Sequence, residues 1–258
     1  MNNSIIRAMK RDIVHATYSS GEGHIASAFS ILDLIWVLYD RVMNIKDKRK
    51  INLTDDRFIL SKGHASLALY AVLANKGFFP VDELSTFCQY TSRLGGHPDC
   101  NKIQCIEAST GSLGHGFPMA VGLALGSRIQ SLENRIFCLI GDGECNEGTI
   151  WEAALVAAHH KLTNLCCIVD YNHSTDRALH LGNLSEKFKS FGWFVITISG
   201  HDHKSIENAL NRFSKTQPLL IIAETIKGNG VKRMEHQPAW HHRSPNPEEL
   251  KEIIEELT

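Results

Sequence analysis

Two short apolar runs, RIFCLIG at 135–141 and NLCCIVDYN at 164–172, most constrain what this chain can fold into. Each is shorter than an ordinary helix, rich in Ile, Leu, Val and Cys, and bounded by charge or glycine, so each reads as a buried strand. Between them, NEGTIWEAALVAAHHKL (146–162) reads as a helix. WFVITIS (193–199), a helix near 203–214 and PLLIIAET (218–225) continue the alternation. Repeated strand–helix–strand order predicts an α/β fold, a mostly parallel sheet with helices on both faces. Upstream, apolar spacing predicts helices over 4–18 and 30–42. A third is expected over 61–77, with Ser61 as N-cap and Gly77 as stop. Residues 90–114 read as loop, GHGFPMAVGLALGSRIQ (114–130) as a helix of small residues suited to close packing, and EELKEIIEELT (248–258) as an amphipathic helix.

Composition closes off several function classes. A chain of 258 residues, 43% of them hydrophobic, can bury a sizeable core as one domain over 1–258. A net charge of −1 offers no field for nucleic acid or anionic lipid. No run approaches the length of a membrane span, and the N-terminus lacks the apolar core of a leader. Seven cysteines without a CxxC, several in apolar strings, fit a reducing cytoplasm.

In a parallel sheet, ligands bind beyond the carboxyl ends of the strands. Asp142 and Asn172 stand at two such ends, one strand–helix–strand unit apart. A right-handed crossover brings the chain back alongside, so both side chains can face one crevice. One carboxylate and one amide are too few for a protein-only cage. They suit Mg²⁺, which completes its octahedron with phosphate and water. Gly141 and Gly143 let the backbone approach the phosphates. Gly-Asp-Gly alone is a common turn; the second strand end is what makes this stretch half of a Mg²⁺–diphosphate site.

The run of motifs GDG, EG, WEA and DYN resembles the transketolase family of thiamine diphosphate enzymes, in particular their N-terminal, diphosphate-binding half. The resemblance spans most of the chain in order: GEGHIASAFSILDLIWVLY, DRFILSKGHASLALYAVL, LGGHPD, EASTGSLGHGFPMAVGLALG, GDGECNEGTIWEA with DYN, then TIKGNGV and PAWHHRSPN. It implies thiamine diphosphate and Mg²⁺ as cofactors. Asp142, Asn172 and the Ser174 carbonyl would hold the metal. Gly141, Gly143 and Asn172 would meet diphosphate, and Gly111, Ser112 and Leu113 would lie against the cofactor rings. His64 and His241 would stand near the diphosphate and the reacting centre, and His24 and His97 would meet substrate hydroxyls and shuttle protons. Imidazoles suit that task because they titrate near neutrality. Glu147 matches an acidic position in the family's interface network. The cofactor acts as an electron sink for the carbanion left by C–C cleavage.

The resemblance also implies a missing half. The family's pyrimidine-binding and C-terminal domains have no counterpart in these residues. They are expected on a partner chain, in a heteromer with two copies of each chain that works on sugars or sugar phosphates. Three readings stay open: a split transketolase, the α-like component of a 2-oxoacid decarboxylase, and a non-catalytic interaction subunit. EGTIWEA, SKGHAS and GGHP favour the first.

Other features carry less. His97, Asp99, Cys100 and Cys105 lack the second ligand pair of a zinc site. GSLGHG and KGNG are no Walker A, and no full GxGxxG marks a nicotinamide site. His15, His159, His160, His201 and His203 carry no motif and read as surface or packing residues. KRK at 48–50 reads as a solvated turn. The sequence departs from the family's pattern at Ala26-Ser27, where a Gly-Gly or Gly-Ala pair is usual and positive φ is now disfavoured; at HSTDRALH after Asn172; and at His242-Arg243, in place of Gly-Lys.

Overall fold

The computed structural model describes residues 3–48, 52–176 and 179–258. Five strands form one sheet: β1 (Arg57–Leu60), β2 (Ile136–Gly141), β3 (Leu165–Tyr171), β4 (Phe194–Ser199) and β5 (Leu219–Glu224), in the order β1-β2-β3-β5-β4. Every pairing is parallel. Alternate residues of each strand face opposite layers. Phe58, Leu60, Phe137, Leu139, Ile168 and Ile221 join one core with helices α1 (Asn3–Ser20), α2 (Ile25–Val37), α3 (Ser66–Asn75), α7 (His203–Leu210) and α8 (Pro247–Glu256). Ile59, Ile136, Cys138, Val169 and Ile222 join the other, with α4 (Gly116–Ile129), α5 (Gly148–His159) and α6 (Leu184–Ser190). The α/β class and the helices on both faces are as the alternation predicts. Cys138, Cys145, Cys166 and Cys167 are buried free thiols. Among the described residues no helix is long and apolar enough to cross a membrane.

Helix α2 has no exposed face. All thirteen of its residues are buried, as expected of a helix sunk in the core. Among them Ser27, Ser30 and Asp33 recur every three residues and so share one face of the helix; two of the three prove to matter below. Ala26 and Ser27 lie inside this helix, in keeping with the expected avoidance of positive φ.

Three expectations need correction. Strand β1 is new: RFIL is only four residues long, and its apolar character merges with the run that follows. The helix expected over 61–77 begins at Ser66, after a tight turn at Gly63–Ala65, and ends at Asn75. Ser61 is therefore no cap; its hydroxyl instead donates to Glu144 at 2.6 Å. The helix near 203–214 ends at Leu210. Of the turn expected at 48–50, Arg49 and Lys50 lie outside the described residues, as do Arg177 and Ala178 of the HSTDRALH segment.

Candidate active site

The carboxyl ends of β2 and β3 are neighbours, with Gly141 in register with Asp170. Beyond β2 the chain tightens into a short helical turn over Asp142–Asn146. Beyond β3 it turns at His173, which takes the left-handed conformation at φ 62°. Such strain in a side-chain-bearing residue clusters at functional sites. The two tips flank a cavity of about 520 Å³ lined by Gly143, Asn146, Asn172, Ser174, Thr175, Lys227 and His241, among others. That volume falls in the range of small-molecule and cofactor pockets.

Asp142 is 3% exposed. Its Oδ1 accepts the Gly143 N–H at 2.8 Å, while its Oδ2 makes no hydrogen bond of ordinary geometry, the Ser174 N–H acting on the carboxyl only weakly. Burial pushes this carboxyl above the usual range, and the nearby Asp170 charge adds to the shift. A buried carboxylate oxygen without a donor is costly unless something positive meets it.

Asn172 shows the opposite condition. Its Nδ2 donates to Asp170 Oδ2 at 2.9 Å and to Ser30 Oγ at 3.1 Å. These two bonds use up the amide nitrogen and leave Oδ1 facing Ser174, whose backbone N–H it accepts at 3.1 Å and whose hydroxyl it also accepts. The amide is thus oriented from beneath. Asp170 is fully buried and takes three further donors: Lys62 Nζ, Thr225 Oγ1, and Ser30 Oγ at 2.7 Å. Residues 170 and 172 share a side because strand side chains repeat every two residues.

Glu144, 1% exposed, ties three segments together. It accepts from Ser61 Oγ at 2.6 Å, Gly114 N at 2.9 Å and Gly141 N at 2.9 Å. Burial raises its carboxyl. Gly116 shows how close this packing is: a Cβ there would stand 2.6 Å from Ser61 Cα.

A wall of histidines faces the two tips. The ring centroids of His24 and His64 lie 5.0 Å apart, His24 and His241 5.4 Å, and His64 and His241 5.8 Å. Burial, reinforced by neighbouring cations and imidazoles, holds all three below their ordinary value: His24 at about 3, His64 at about 2 and His241 at about 4. They are neutral at pH 7. Burial also lowers His97, whose ring would lie 3.3 Å from a Cβ at Gly111. Lys227 Nζ reaches His241 Nδ1 at 2.7 Å and Ser174 Oγ at 3.3 Å. Burial brings that ammonium down to about 8, with Lys62 the next cause.

The site residues named from sequence fall into two sets. Gly143, Asn172, Ser174 and His241 line the cavity, with Asp142 beside Gly143 and with His24 and His64 packed on His241. Gly111, Ser112 and Leu113 are not among its lining residues; Gly111 sits against His97 instead. Glu147 is exposed. Of the residues read as surface or packing, His201 and His203 both bond to Asp33. His242, at one of the departures, stacks on His24 at 4.4 Å and bonds to Glu22 at 3.0 Å. Arg243 stacks on Trp240 at 4.2 Å and bonds to Glu249. Sequence reasoning missed Ser30, Lys62, Glu144, Asp170 and Lys227. The available signal was a charged or polar residue inside or at the end of an apolar run. Among the described residues no cluster of three His, Cys, Asp or Glu side chains forms a metal cage.

Residues 1–257 match the family described as transketolase, thiamine diphosphate binding domain. An apulose-4-phosphate transketolase subunit of Actinobacillus succinogenes is 38% identical over 258 residues, 97% of this chain and 94% of its own length. The 6-deoxy-6-sulfo-D-fructose transketolase subunit SqwG of a Clostridium species is 38% identical over 244 residues, 92% of this chain and 89% of its own length. Among solved structures, the transketolase of Leishmania mexicana has a TM-score of 0.91 at 26% identity, over 99% of this chain and 41% of its own. The chain therefore spans about two fifths of that solved transketolase and nearly all of the two subunits.

Proposed function

The chain belongs to the transketolase family, matching its thiamine diphosphate binding domain, and on that premise we propose that it is the N-terminal, diphosphate-holding subunit of a split transketolase. It moves a two-carbon ketol unit from a ketose donor to an aldose acceptor. Residues 1–258 form the single diphosphate-binding domain, and the pyrimidine-binding and C-terminal domains come from a partner subunit. The close match in length to two relatives named as subunits supports this division. Their names carry an apulose phosphate and a sulfonated fructose, which supports an anionic ketose as substrate. Two copies of each chain make the assembly, in the reducing cytoplasm that the free thiols suit.

The observation that carries this reading is Asp142 Oδ2, buried and without a hydrogen bond beside the pre-oriented Asn172. Hard oxygens from a carboxylate, an amide and a backbone carbonyl suit Mg²⁺ with a phosphate completing its shell. Asp142, Asn172 and the Ser174 carbonyl would hold that ion. Gly143 leaves room for phosphate, since a Cβ there would meet nothing within 4 Å. Lys227 adds positive charge on the same cavity. Thiamine diphosphate, when bound, supplies the electron sink for the two-carbon fragment.

The protein's own residues position and move protons. His24 and His64, held neutral, each present one N–H and one lone pair, so each can donate to or accept from a sugar hydroxyl, and His241 can donate. Lys227 donates to His241 Nδ1, which leaves the proton of that ring on Nε2. His97 completes the wall from the loop side. Gly111, Ser112 and Leu113 remain assigned to the cofactor rings, on the edge next to His97. Glu147 is exposed, as a residue in an interface network must be before its partner docks.

Calorimetric titration of the chain, reconstituted with a partner subunit carrying the pyrimidine-binding domain, tests the reading. Saturable, Mg²⁺-dependent binding of thiamine diphosphate and turnover of a ketose donor are expected. Turnover of pyruvate instead, or no cofactor binding, overturns it.

A further inference from the structure

A second buried polar cluster adjoins the segment that carries Lys227. Asp33, 5% exposed, stands one turn after Ser30 on α2. Its Oδ2 lies 2.9 Å from His201 Nδ1, and its Oδ1 lies 2.7 Å from His203 Nε2. His201 Nε2, the other ring nitrogen, accepts the backbone N–H of Ile226 at 2.9 Å. A separate cavity of about 210 Å³ adjoins this cluster, between Lys10, Asp33, His201 and Asn229.

The tautomer of His201 follows from these partners. A backbone N–H is a fixed donor, so Nε2 must offer its lone pair. A neutral imidazole then carries its proton on Nδ1, facing the Asp33 carboxylate. The Asn229 side-chain amide lies 3.0 Å from the same Nδ1. An amide can turn by 180° to present its oxygen, whereas the Ile226 N–H is held by the chain, so the backbone group decides. With a proton on Nε2, two N–H groups would face each other in a part-buried place.

Ile226 sits between two residues of the site. Thr225 donates to Asp170, the carboxylate that orients Asn172. Lys227 reaches Ser174 and His241. The rest of the segment is pinned by Lys10 Nζ on the Asn229 carbonyl at 2.6 Å and by Gly228 N–H on the Ala26 carbonyl at 2.9 Å.

We propose that Asp33 and His201 are positioning residues of the cofactor site: the carboxylate holds the imidazole in its Nδ1–H form, and the bare Nε2 pins the Ile226 amide and so places Lys227 between Ser174 and His241. The assignment to a cofactor rests on the reading of that cavity as a thiamine diphosphate site; the pinning itself does not. His203 anchors the second carboxylate oxygen, so Asp33 has no freedom to leave His201.

Nitrogen-15 NMR of the full chain reads the tautomer, and amide hydrogen exchange reads Ile226, both without cofactor. The Nδ1–H form and a slowly exchanging Ile226 amide are expected in the wild type. His201→Leu removes the acceptor and speeds that exchange by about 10-fold or more, as does Asp33→Ala by freeing the tautomer. His201→Gln, whose side-chain oxygen can take the same N–H, keeps the exchange slow. In the reconstituted pair, His201→Leu weakens Mg²⁺–thiamine diphosphate binding by about 10-fold, with kcat at saturating cofactor nearly unchanged, and His201→Gln restores the affinity. An Nε2–H tautomer in the wild type, equal exchange in the Leu and Gln variants, or fast exchange without loss of cofactor affinity overturns the proposal. A wild-type pair that binds no thiamine diphosphate overturns the assignment of the cavity, and the exchange data then judge the pin alone.

Discussion

The floor and the wall of the cavity are built on different terms. On the floor, at the tips of β2 and β3, polar atoms are bonded to one another: Asp170 holds Lys62, Ser30, Thr225 and Asn172, while Asp142 Oδ2 is left without a hydrogen bond. On the wall, His24, His64, His241 and His242 mostly touch one another's rings. The floor is therefore organised by its own hydrogen bonds, and Asp142 Oδ2 is the atom at which the proposed cation would meet it. On the wall, Lys227 and Glu22 hold His241 Nδ1 and His242 Nε2, and the remaining ring nitrogens are the ones that the proposed proton exchange with a substrate hydroxyl would use. A fully satisfied buried network is rigid; its stability is lost when one member is removed.

The sharpest way to break this contrast is Asp170→Ala. It strands the Lys62 ammonium, 3% exposed, without its partner. Removing one member of a buried pair costs about 3–5 kcal/mol. Urea unfolding of the isolated chain should show that loss, and a change under about 1 kcal/mol would mean the floor is not one unit.

Asp142→Ala should do something different on the same floor. It deletes a carboxylate that burial already disfavours in its charged form, so the urea midpoint without metal should hold or rise slightly. Mg²⁺-dependent cofactor binding should fall by about 100-fold or more, beyond what outer partners of a metal typically cost. Loss of stability alongside loss of binding would erase the distinction between Asp142 and Asp170.

Acid tests the wall. His24, His64 and His241 are held at about 3, 2 and 4 in the folded chain, against an ordinary value of 6.5. As pH falls below 6.5 the unfolded chain takes up protons at these positions and the folded chain does not. Unfolding is then favoured, and stability declines from about pH 6.5 downward, until the folded rings also protonate between about 4 and 2. Urea midpoints at about pH 7 and about pH 5 measure this, and His64→Gln should flatten the slope.

The smallest effect is expected at His242, which is more than half exposed in its pair with Glu22. His242→Gly removes a ring stack and an exposed hydrogen bond to Glu22, worth together about 1 kcal/mol or less. A larger loss in thermal unfolding would place this residue within the wall's support.

How much of this is legible in the sequence depends on how local the signal is. Asp142 and Asn172 can be read because each ends an apolar run, and the parallel order of β2 and β3 makes those ends adjacent. Asp170 stands in the same apolar run as Asn172, yet nothing local distinguishes a buried carboxylate from a solvated one. Its partner Lys62 is 108 positions away in sequence. Ser61 looks like a helix cap because serine before an apolar run is the usual cap signal; β1, too short to stand out, pulls it to Glu144 instead. His201 and His203 look incidental because their partner, Asp33, lies inside a helix that is buried on every side.

By itself the order of residues determined the alternation of buried strands and helices, the parallel sheet, and the pair of strand ends suited to a hard cation. Those rest on period and composition, which act over a few neighbours along the chain. Only the tertiary structure decided the placement of β5 between β3 and β4, the meeting of Lys62 with Asp170, and the stacking of His242 on His24. Such contacts join residues far apart in sequence. Whether a buried charge finds its counterion is set by strand register and helix packing, which no short window of sequence contains.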